Sequence, residues 1–229
     1  MDHAGTAPTS DLDLWNRRCN HDEVRQAFVL PTLRTLVERV RPMTIIDLGA
    51  KSGYVPAALL DSHGAALRTA RFIAVDHDVE AVEYMRRRFR GGRVEVVHAS
   101  IGEWARRSSP ARPGERRLHI LSYTALELED DELRAVFASV TADDSLVVVL
   151  PDVAEDAAAA GRLRQFLAGD TVRLPKIDSC TGRPYPFIAR RLESWLGWAI
   201  DAGLSLCQMH TYRTLGGHRH FAYEFRVLP

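Results

Sequence analysis

The stretch from Met43 to Gly53, Met-Thr-Ile-Ile-Asp-Leu-Gly-Ala-Lys-Ser-Gly, limits what this chain can fold into more than any other. Met43 to Ile46 is apolar and β-branched, with Pro42 before it and glycines after, so it reads as a short buried strand. Asp47 stands at the strand's carboxyl end. Gly49 and Gly53 then make a tight loop, and Tyr54 to Leu60 starts a helix. Strand, glycine turn and helix in that order let backbone N–H groups and a helix N-terminus approach a ligand closely. The loop lacks the third glycine of Gly-x-Gly-x-x-Gly, and Gly-x-x-x-Gly turns also serve as plain connectors.

The next strand sharpens the reading. Arg71 to Asp76 is apolar and ends in an acid 23 residues after Gly53. A carboxylate there accepts hydrogen bonds from both hydroxyls of a ribose lying over the glycine loop. The competing role is a cap for the helix that starts near Asp78, but Asp78 can fill that role itself.

Charge excludes one class of partner. The 229 residues carry 30 Lys+Arg against 30 Asp+Glu, so the basic footprint of a dedicated nucleic-acid binder is missing. Only Lys51 and Lys176 are lysines, and the remaining basic residues are arginines. With abundant alanine, this suggests a GC-rich bacterial source. Cys19, Cys180 and Cys207 are isolated, with no Cys-x-x-Cys pair, which fits a reduced cytoplasmic protein without a structural zinc site. No apolar stretch approaches membrane-spanning length, and no hydrophobic signal core opens the chain, so no membrane partner is expected.

Residues 1–10 are small and polar and are expected to be disordered. Residues 11–42 form a helical N-terminal cover. Its helices are Asp11 to Arg18 and Asp22 to Val40, the second kinked or split by Pro31. Trp15, Phe28 and Leu33 either pack on the sheet or form a lid over a ligand. Further βα units follow. The helix after the glycine loop ends near His63-Gly64, and the next is Val79 to Phe89, with Arg86, Arg87 and Arg88 outward on a solvated face. The third strand is Val94 to His98 and the fourth is Leu118 to Tyr123. The fifth, Ser145 to Leu150, leads into a helix from Val153 to Ala168. Gly169 to Pro186 reads as irregular and long enough for a functional loop. Phe187 to Ala202 is a helix carrying Trp195 and Trp198. Leu204 to Thr214, a Gly216-Gly217 turn and His220 to Val227 make a terminal antiparallel hairpin. Repeated βα units give a parallel α/β sheet.

These residues resemble a class I S-adenosylmethionine-dependent methyltransferase, over about residues 43–229. The resemblance implies a Rossmann-like, seven-stranded, mostly parallel sheet with a C-terminal antiparallel hairpin and helices on both faces. The family's first motif, an acid followed by Leu-Gly-Cys-Gly-x-Gly, corresponds to Asp47, Leu48, Gly49, Ala50, Lys51, Ser52 and Gly53. The ribose-holding acid corresponds to Asp76, with His77 flanking the adenine. Ser100 and Ile101 correspond to the residues that meet the adenine. Ser122, Tyr123 and Thr124 correspond to the strand end beside the methionine half. The chain departs from the pattern at Lys51, where glycine is usual, and at Ser100, where aspartate is common. S-adenosylmethionine is therefore the cofactor the resemblance implies, and S-adenosylhomocysteine the product.

The chemistry implied is an in-line displacement at a sulfonium carbon, where alignment supplies much of the rate and an O, N or C nucleophile can need a base. Tyr123 and His210 are the candidate catalytic groups. Tyr123, Tyr185, His210 and Tyr212 are candidates to line the substrate pocket; His210 and Tyr212 share a strand face. Each also has an ordinary packing role. His210, His218 and His220 lack a nearby carboxylate or cysteine, so no metal site is expected. The acceptor expected is a small molecule, in bacterial secondary metabolism. The alternatives are an NAD(P)-dependent oxidoreductase and a non-catalytic partner protein that kept the fold. The residues leave open whether the chain is a homodimer.

Overall fold

The structure, a computed structural model, describes residues 10–63, 67, 69–169, 171–177 and 184–227. Residues 1–9, Gly64 and Cys180, on which expectations fell, lie outside the described residues. In chain order the elements begin with α1 (Asp11–His21), a π-helical turn (Arg25–Val29) and α2 (Leu30–Val40). Then come β1 (Thr44–Leu48), α3 (Tyr54–His63), β2 (Arg71–Asp76), α4 (Val79–Arg88), β3 (Val94–His98) and α5 (Ile101–Arg107). The second half holds β4 (Arg117–Ser122), α6 (Asp130–Ser139), β5 (Ser145–Pro151), α7 (Val153–Ala159) and α8 (Leu163–Leu167). It ends with β6 (Val172–Ile177), β7 (Pro184–Ala189), α9 (Leu192–Asp201), β8 (Leu204–Arg213) and β9 (Arg219–Val227).

Seven strands form one sheet in the order β3-β2-β1-β4-β5-β9-β8. The first five pair in parallel, as βα crossovers require. The terminal hairpin inserts β9 antiparallel against β5 and leaves β8 at the edge. Side chains alternate between two cores. Ile45, Leu118, Ile120, Val147 and Val149 face one layer, with Leu33, Leu36 and Val37 of α2 and Leu59 of α3. Ile46, Leu121, Leu146 and Val148 face the other, with Leu133, Val136 and Phe137 of α6 and Trp195 of α9. Helices therefore cover both faces, and Phe28 and Leu33 are buried packing residues. No helix among the described residues is long and apolar enough to cross a membrane.

The structure corrects three element boundaries. The stretch expected to be irregular carries β6 and β7, which pair with each other apart from the main sheet. Val172 and Leu174 alternate inward against Phe187 and Ala189, and Pro175 stands opposite Pro186, so two residues without N–H donors face each other. Phe187 to Ala189 are thus strand, and the helix expected from Phe187 begins at Leu192. The long alanine-rich helix breaks into α7 and α8 at Gly161, whose φ is +69°. The break expected at Pro31 is present: Pro31 cannot donate to the carbonyl four residues back, and its ring crowds that carbonyl. The chain answers with a π turn, in which the Leu30 N–H reaches the Arg25 carbonyl.

Candidate functional site

Loop geometry sets the floor of the site. Gly49 has φ +80° and packs under Thr124 so closely that any β-carbon would overlap it. Gly53, at φ +69°, packs on the Phe89 ring and does not line the site. Lys51 takes the left-handed backbone that glycine favours, with φ 49°. The loop does not present a bare row of N–H donors. Gly49 and Ala50 donate to the Val75 carbonyl at 2.9 and 3.1 Å, and Gly53 donates to the Ala50 carbonyl at 2.8 Å. The Lys51 N–H donates to Asp76 Oδ2 at 2.7 Å.

Asp76 is buried at the tip of β2 and turned towards the bend. Its Oδ1 accepts the Asp78 N–H at 2.9 Å, while the Asp78 carboxylate caps α4 by accepting the Glu80 N–H at 2.9 Å. The division of labour expected of the two acids is therefore present. Each Asp76 oxygen retains a lone pair for a further donor. Ser100 caps α5, accepting the Glu103 N–H at 3.1 Å, so its hydroxyl serves the helix first.

A cleft of about 930 Å³ opens over the carboxyl ends of the parallel strands. Asp47, Gly49, Ala50, Lys51 and Asp76 line it, as do His77, Ser100, Ile101 and Ser122. Every predicted cofactor residue except Gly53 is thus in one cavity. Tyr123 and Tyr185 line it too. His210 and Tyr212 do not: they lie level with the carboxyl end of β5 but on the edge strand β8, with β9 between. The Tyr212 hydroxyl donates to Glu23 at 2.7 Å and its ring stacks on Phe28 at 5.6 Å, so it fastens the N-terminal segment to the sheet.

That segment supplies what sequence reasoning missed. Asn16 of α1 accepts from the Ser52 hydroxyl at 2.8 Å and donates to the Tyr84 hydroxyl at 2.7 Å, tying α1 to the glycine loop and α4. Arg88, expected on a solvated face, instead donates to Asn16 and to the Ser52 carbonyl, both at 3.0 Å. So held, α1 and the π turn put Trp15 and Arg25 into the cleft. The Arg25 guanidinium lies over three rings: Trp15 at 4.7 Å, Tyr123 at 5.5 Å and Tyr54 at 5.9 Å. The Lys51 ammonium also sits over Trp15, at 5.2 Å. Arg25 carried no sequence signal, because its direction depends on the π turn that Pro31 forces.

Two polar atoms on the floor lack partners. Asp47 Oδ2 and the Ser122 hydroxyl are buried without a hydrogen bond. Burial, with the Asp76 charge adding to it and Arg25 opposing it, pushes the Asp47 carboxyl up to about 7. Tyr123 follows β4 with φ 67°, an uncommon conformation for an aromatic residue and one that marks stored strain. Its N–H still donates to the Val149 carbonyl at 2.8 Å, and its hydroxyl lies 2.9 Å from His220 Nδ1. Burial raises the Tyr123 pKa and lowers that of His220, so both are neutral near pH 7. Among the described residues no group of His, Cys, Asp or Glu is placed to hold a metal ion.

No family model and no curated protein sequence matches the chain. Solved structures do. An S-adenosylmethionine-dependent methyltransferase from Clostridium acetobutylicum ATCC 824 aligns with a TM-score of 0.62 at 10% identity, over 94% of this chain and 99% of that one. A SAM-dependent methyltransferase from Methanosarcina mazei gives 0.60 at 12% identity, over 82% of this chain and 94% of the other. A structure described as a pericyclic reaction enzyme gives 0.53 at 14% identity, over 82% of this chain but 43% of that one. At these identities the likeness is one of fold: this chain has the class I methyltransferase fold.

Proposed function

We propose that this protein transfers a methyl group from S-adenosylmethionine to a small-molecule acceptor with an O, N or C nucleophile. One observation carries the reading: the cleft is polar in complementary ways at its two ends. At one end Asp76, one strand over from the Gly49–Gly53 bend, offers acceptors to the hydroxyls of a ribose. His77, Ser100 and Ile101 lie further along the same wall for the adenine. At the other end the unpartnered Asp47 Oδ2 and Ser122 hydroxyl await donors, and Arg25 offers donors. An ammonium on Asp47 and Ser122 and a carboxylate on Arg25 describe an α-amino acid. A nucleoside joined to an amino acid is the cofactor that satisfies both ends.

When bound, the cofactor supplies a methyl group on a sulfonium whose leaving group is a neutral thioether. The chain's own residues align and desolvate. Asp76 fixes the ribose, Asp47 and Arg25 fix the amino-acid half, and Tyr123 sits at the β4 tip where the methyl would point. The oxidoreductase alternative is disfavoured because the N–H groups of Gly49, Ala50, Lys51 and Gly53 already serve protein acceptors, which weakens the loop as a pyrophosphate cradle. A non-catalytic partner protein would not need strain at Tyr123 or an open, polar cleft. Cytoplasmic residence and a place in bacterial secondary metabolism complete the proposal.

Calorimetry with S-adenosylhomocysteine tests the cofactor, with a fluorescence titration of NADH as the control. No binding of S-adenosylhomocysteine at millimolar concentration removes the reading. Methyl mass gain in co-purified metabolites separates methyl transfer from a cofactor-bound enzyme of other chemistry.

A further inference from the structure

A second cavity of about 510 Å³ adjoins the cleft, and the two share Tyr123, Glu127 and Tyr185 in their walls. Its remaining walls come from the end of β5, from α7, from β6 and β7, and from the turn into β9, with Val24 and Leu126 beside them. Nothing in the cofactor reading uses this chamber. Tyr123 is its doorway residue, and behind the Tyr123 hydroxyl stands His220, which lines the chamber.

The chamber has a definite electrostatic sign. Glu127, Asp152, Glu155 and Asp156 line it against two permanent cations, Lys176 and Arg219. Both cations are already paired: Lys176 with Asp156, and Arg219 with Asp152 at 2.5 Å and Glu155 at 3.4 Å. His218 adds a contact to Glu155 at 3.5 Å. Arg25 lines the cleft and not the chamber. An acceptor entering here meets a surplus of carboxylate. That field favours a nucleophile that gains positive charge as it is methylated, and opposes one that must become an anion first.

We propose that this chamber receives an amine acceptor and that Tyr123 and His220 accept the proton the amine must lose. The proposal rests on the methyl-transfer reading above. A protonated amine first gives a proton to the Tyr123 oxygen while the Tyr123 proton passes to His220 Nδ1. The freed nitrogen lone pair then forms the N–C bond as the C–S bond of S-adenosylmethionine breaks, and that bond's electron pair stays on sulfur. Tyr123 is the catalytic residue, because it touches the acceptor. His220 is a positioning and relay residue acting through it. The charged groups that bear on His220 are Asp22 from the segment after α1, Glu155 and Asp156 of α7, and His218 of the β8–β9 turn, with Tyr123 in direct contact. The three carboxylates stabilise the imidazolium once it forms.

The test uses the full chain with S-adenosylmethionine and a panel of primary and secondary amines. Each amine is paired with the alcohol and the carboxylate of the same skeleton, as in phenethylamine, 2-phenylethanol and phenylacetate. Methylation of amines in preference to their partners is expected. Preference for an alcohol or a carboxylate, or no amine methylated by a protein that binds S-adenosylhomocysteine, overturns the proposal. With the best amine, Tyr123→Phe and His220→Gln each lose roughly a hundredfold in kcat. Both retain wild-type affinity for S-adenosylhomocysteine by calorimetry, which shows that they fold. The wild-type rate falls on the acid side as His220 is protonated, and that limb is absent in His220→Gln. A variant with wild-type kcat, or an unchanged acid limb in His220→Gln, overturns the relay. Failure of the parent protein to bind S-adenosylhomocysteine overturns the underlying reading instead.

Discussion

The Asp76 carboxylate accepts the Lys51 backbone N–H at 2.7 Å, so the acid of one strand tip holds the glycine loop of the next. The same carboxylate is the proposed ribose acceptor, and it also takes the Asp78 N–H. Replacing it therefore acts twice. Asp76→Ala should weaken S-adenosylhomocysteine binding by more than ~1 kcal/mol through lost hydrogen bonds to a charged acceptor. It should also lower unfolding stability by about 1–3 kcal/mol, because two N–H groups lose their acceptor. Calorimetry reads the first effect and urea unfolding the second. Unchanged affinity in a folded variant would remove Asp76 from the ribose site.

Gly49 and Thr124 make a second close pair. An added β-carbon at Gly49 meets the Thr124 side chain, and the backbone there is left-handed. Gly49→Ala should cost about 2–4 kcal/mol, summing the left-handed strain and the steric overlap. Adding Thr124→Gly should recover the steric part and leave the conformational part. Urea unfolding of the single and double variants checks this, and a Gly49→Ala protein as stable as the parent would contradict the loop geometry.

The glycine loop and Asp76 were legible because strand, turn and helix chemistry is local: a few adjacent residues decide it. The sheet and its terminal hairpin were legible for the same reason, from repeated apolar runs and glycine punctuation. Arg25 was not, since no local pattern tells that Pro31 forces a π turn. His210 and Tyr212 were expected in the pocket from their shared strand face, yet that strand is the outer edge of the sheet. Which strand of a hairpin lies inside is a matter of long-range pairing. His220, on the inner partner β9, reaches Tyr123 instead. Prolines concealed β6 and β7, because they argue against a strand until a second run of prolines is paired with the first.

Asp47 ties pH to both stability and binding. Its carboxyl is pushed up to about 7 in the fold, against about 4 in an unfolded chain. A raised acid contributes stability that is fully present below pH ~4 and is lost as pH rises through ~7. Asp47→Asn should thus match the parent near pH 4 and exceed it at pH 8, by roughly 2–4 kcal/mol before relaxation. Binding runs the other way. Ionised Asp47 pairs with the cofactor's ammonium, so the parent's affinity for S-adenosylhomocysteine should rise from pH 6 to 8 while the variant's stays low and flat. A parallel rise in both proteins would place the amino-acid half elsewhere.

His119 lies far from this chemistry and makes the opposite pH argument. It is buried between strands, and neither ring nitrogen has a hydrogen-bond partner. Its Nε2 is 3.7 Å from Asp144 Oδ2, too long for a hydrogen bond, and its ring meets the edge of Trp104 at 6.0 Å. Burial lowers its pKa, so it folds in the neutral form. The unfolded chain takes up a proton near pH ~6.5 that the native state resists, and stability is lost as pH falls through that value. Asp144 is held below the usual carboxylate range: burial alone would raise it, but the hydrogen bonds from Arg117 and Thr141 outweigh that. Its contribution is lost only below pH ~4. Between these values the depressed histidines, His119 and the half-buried His220, make stability rise with pH, against the opposite slope of the raised Asp47 carboxyl. His119→Leu removes two unsatisfied buried nitrogens, so it should cost less than ~1 kcal/mol at pH 7.5. At pH 5 it should be more stable than the parent, and between the two pH values its stability should gain less, or lose more, than the parent's. Urea unfolding at both pH values decides it, and identical slopes in the two proteins would mean that His119 takes its proton freely in the fold.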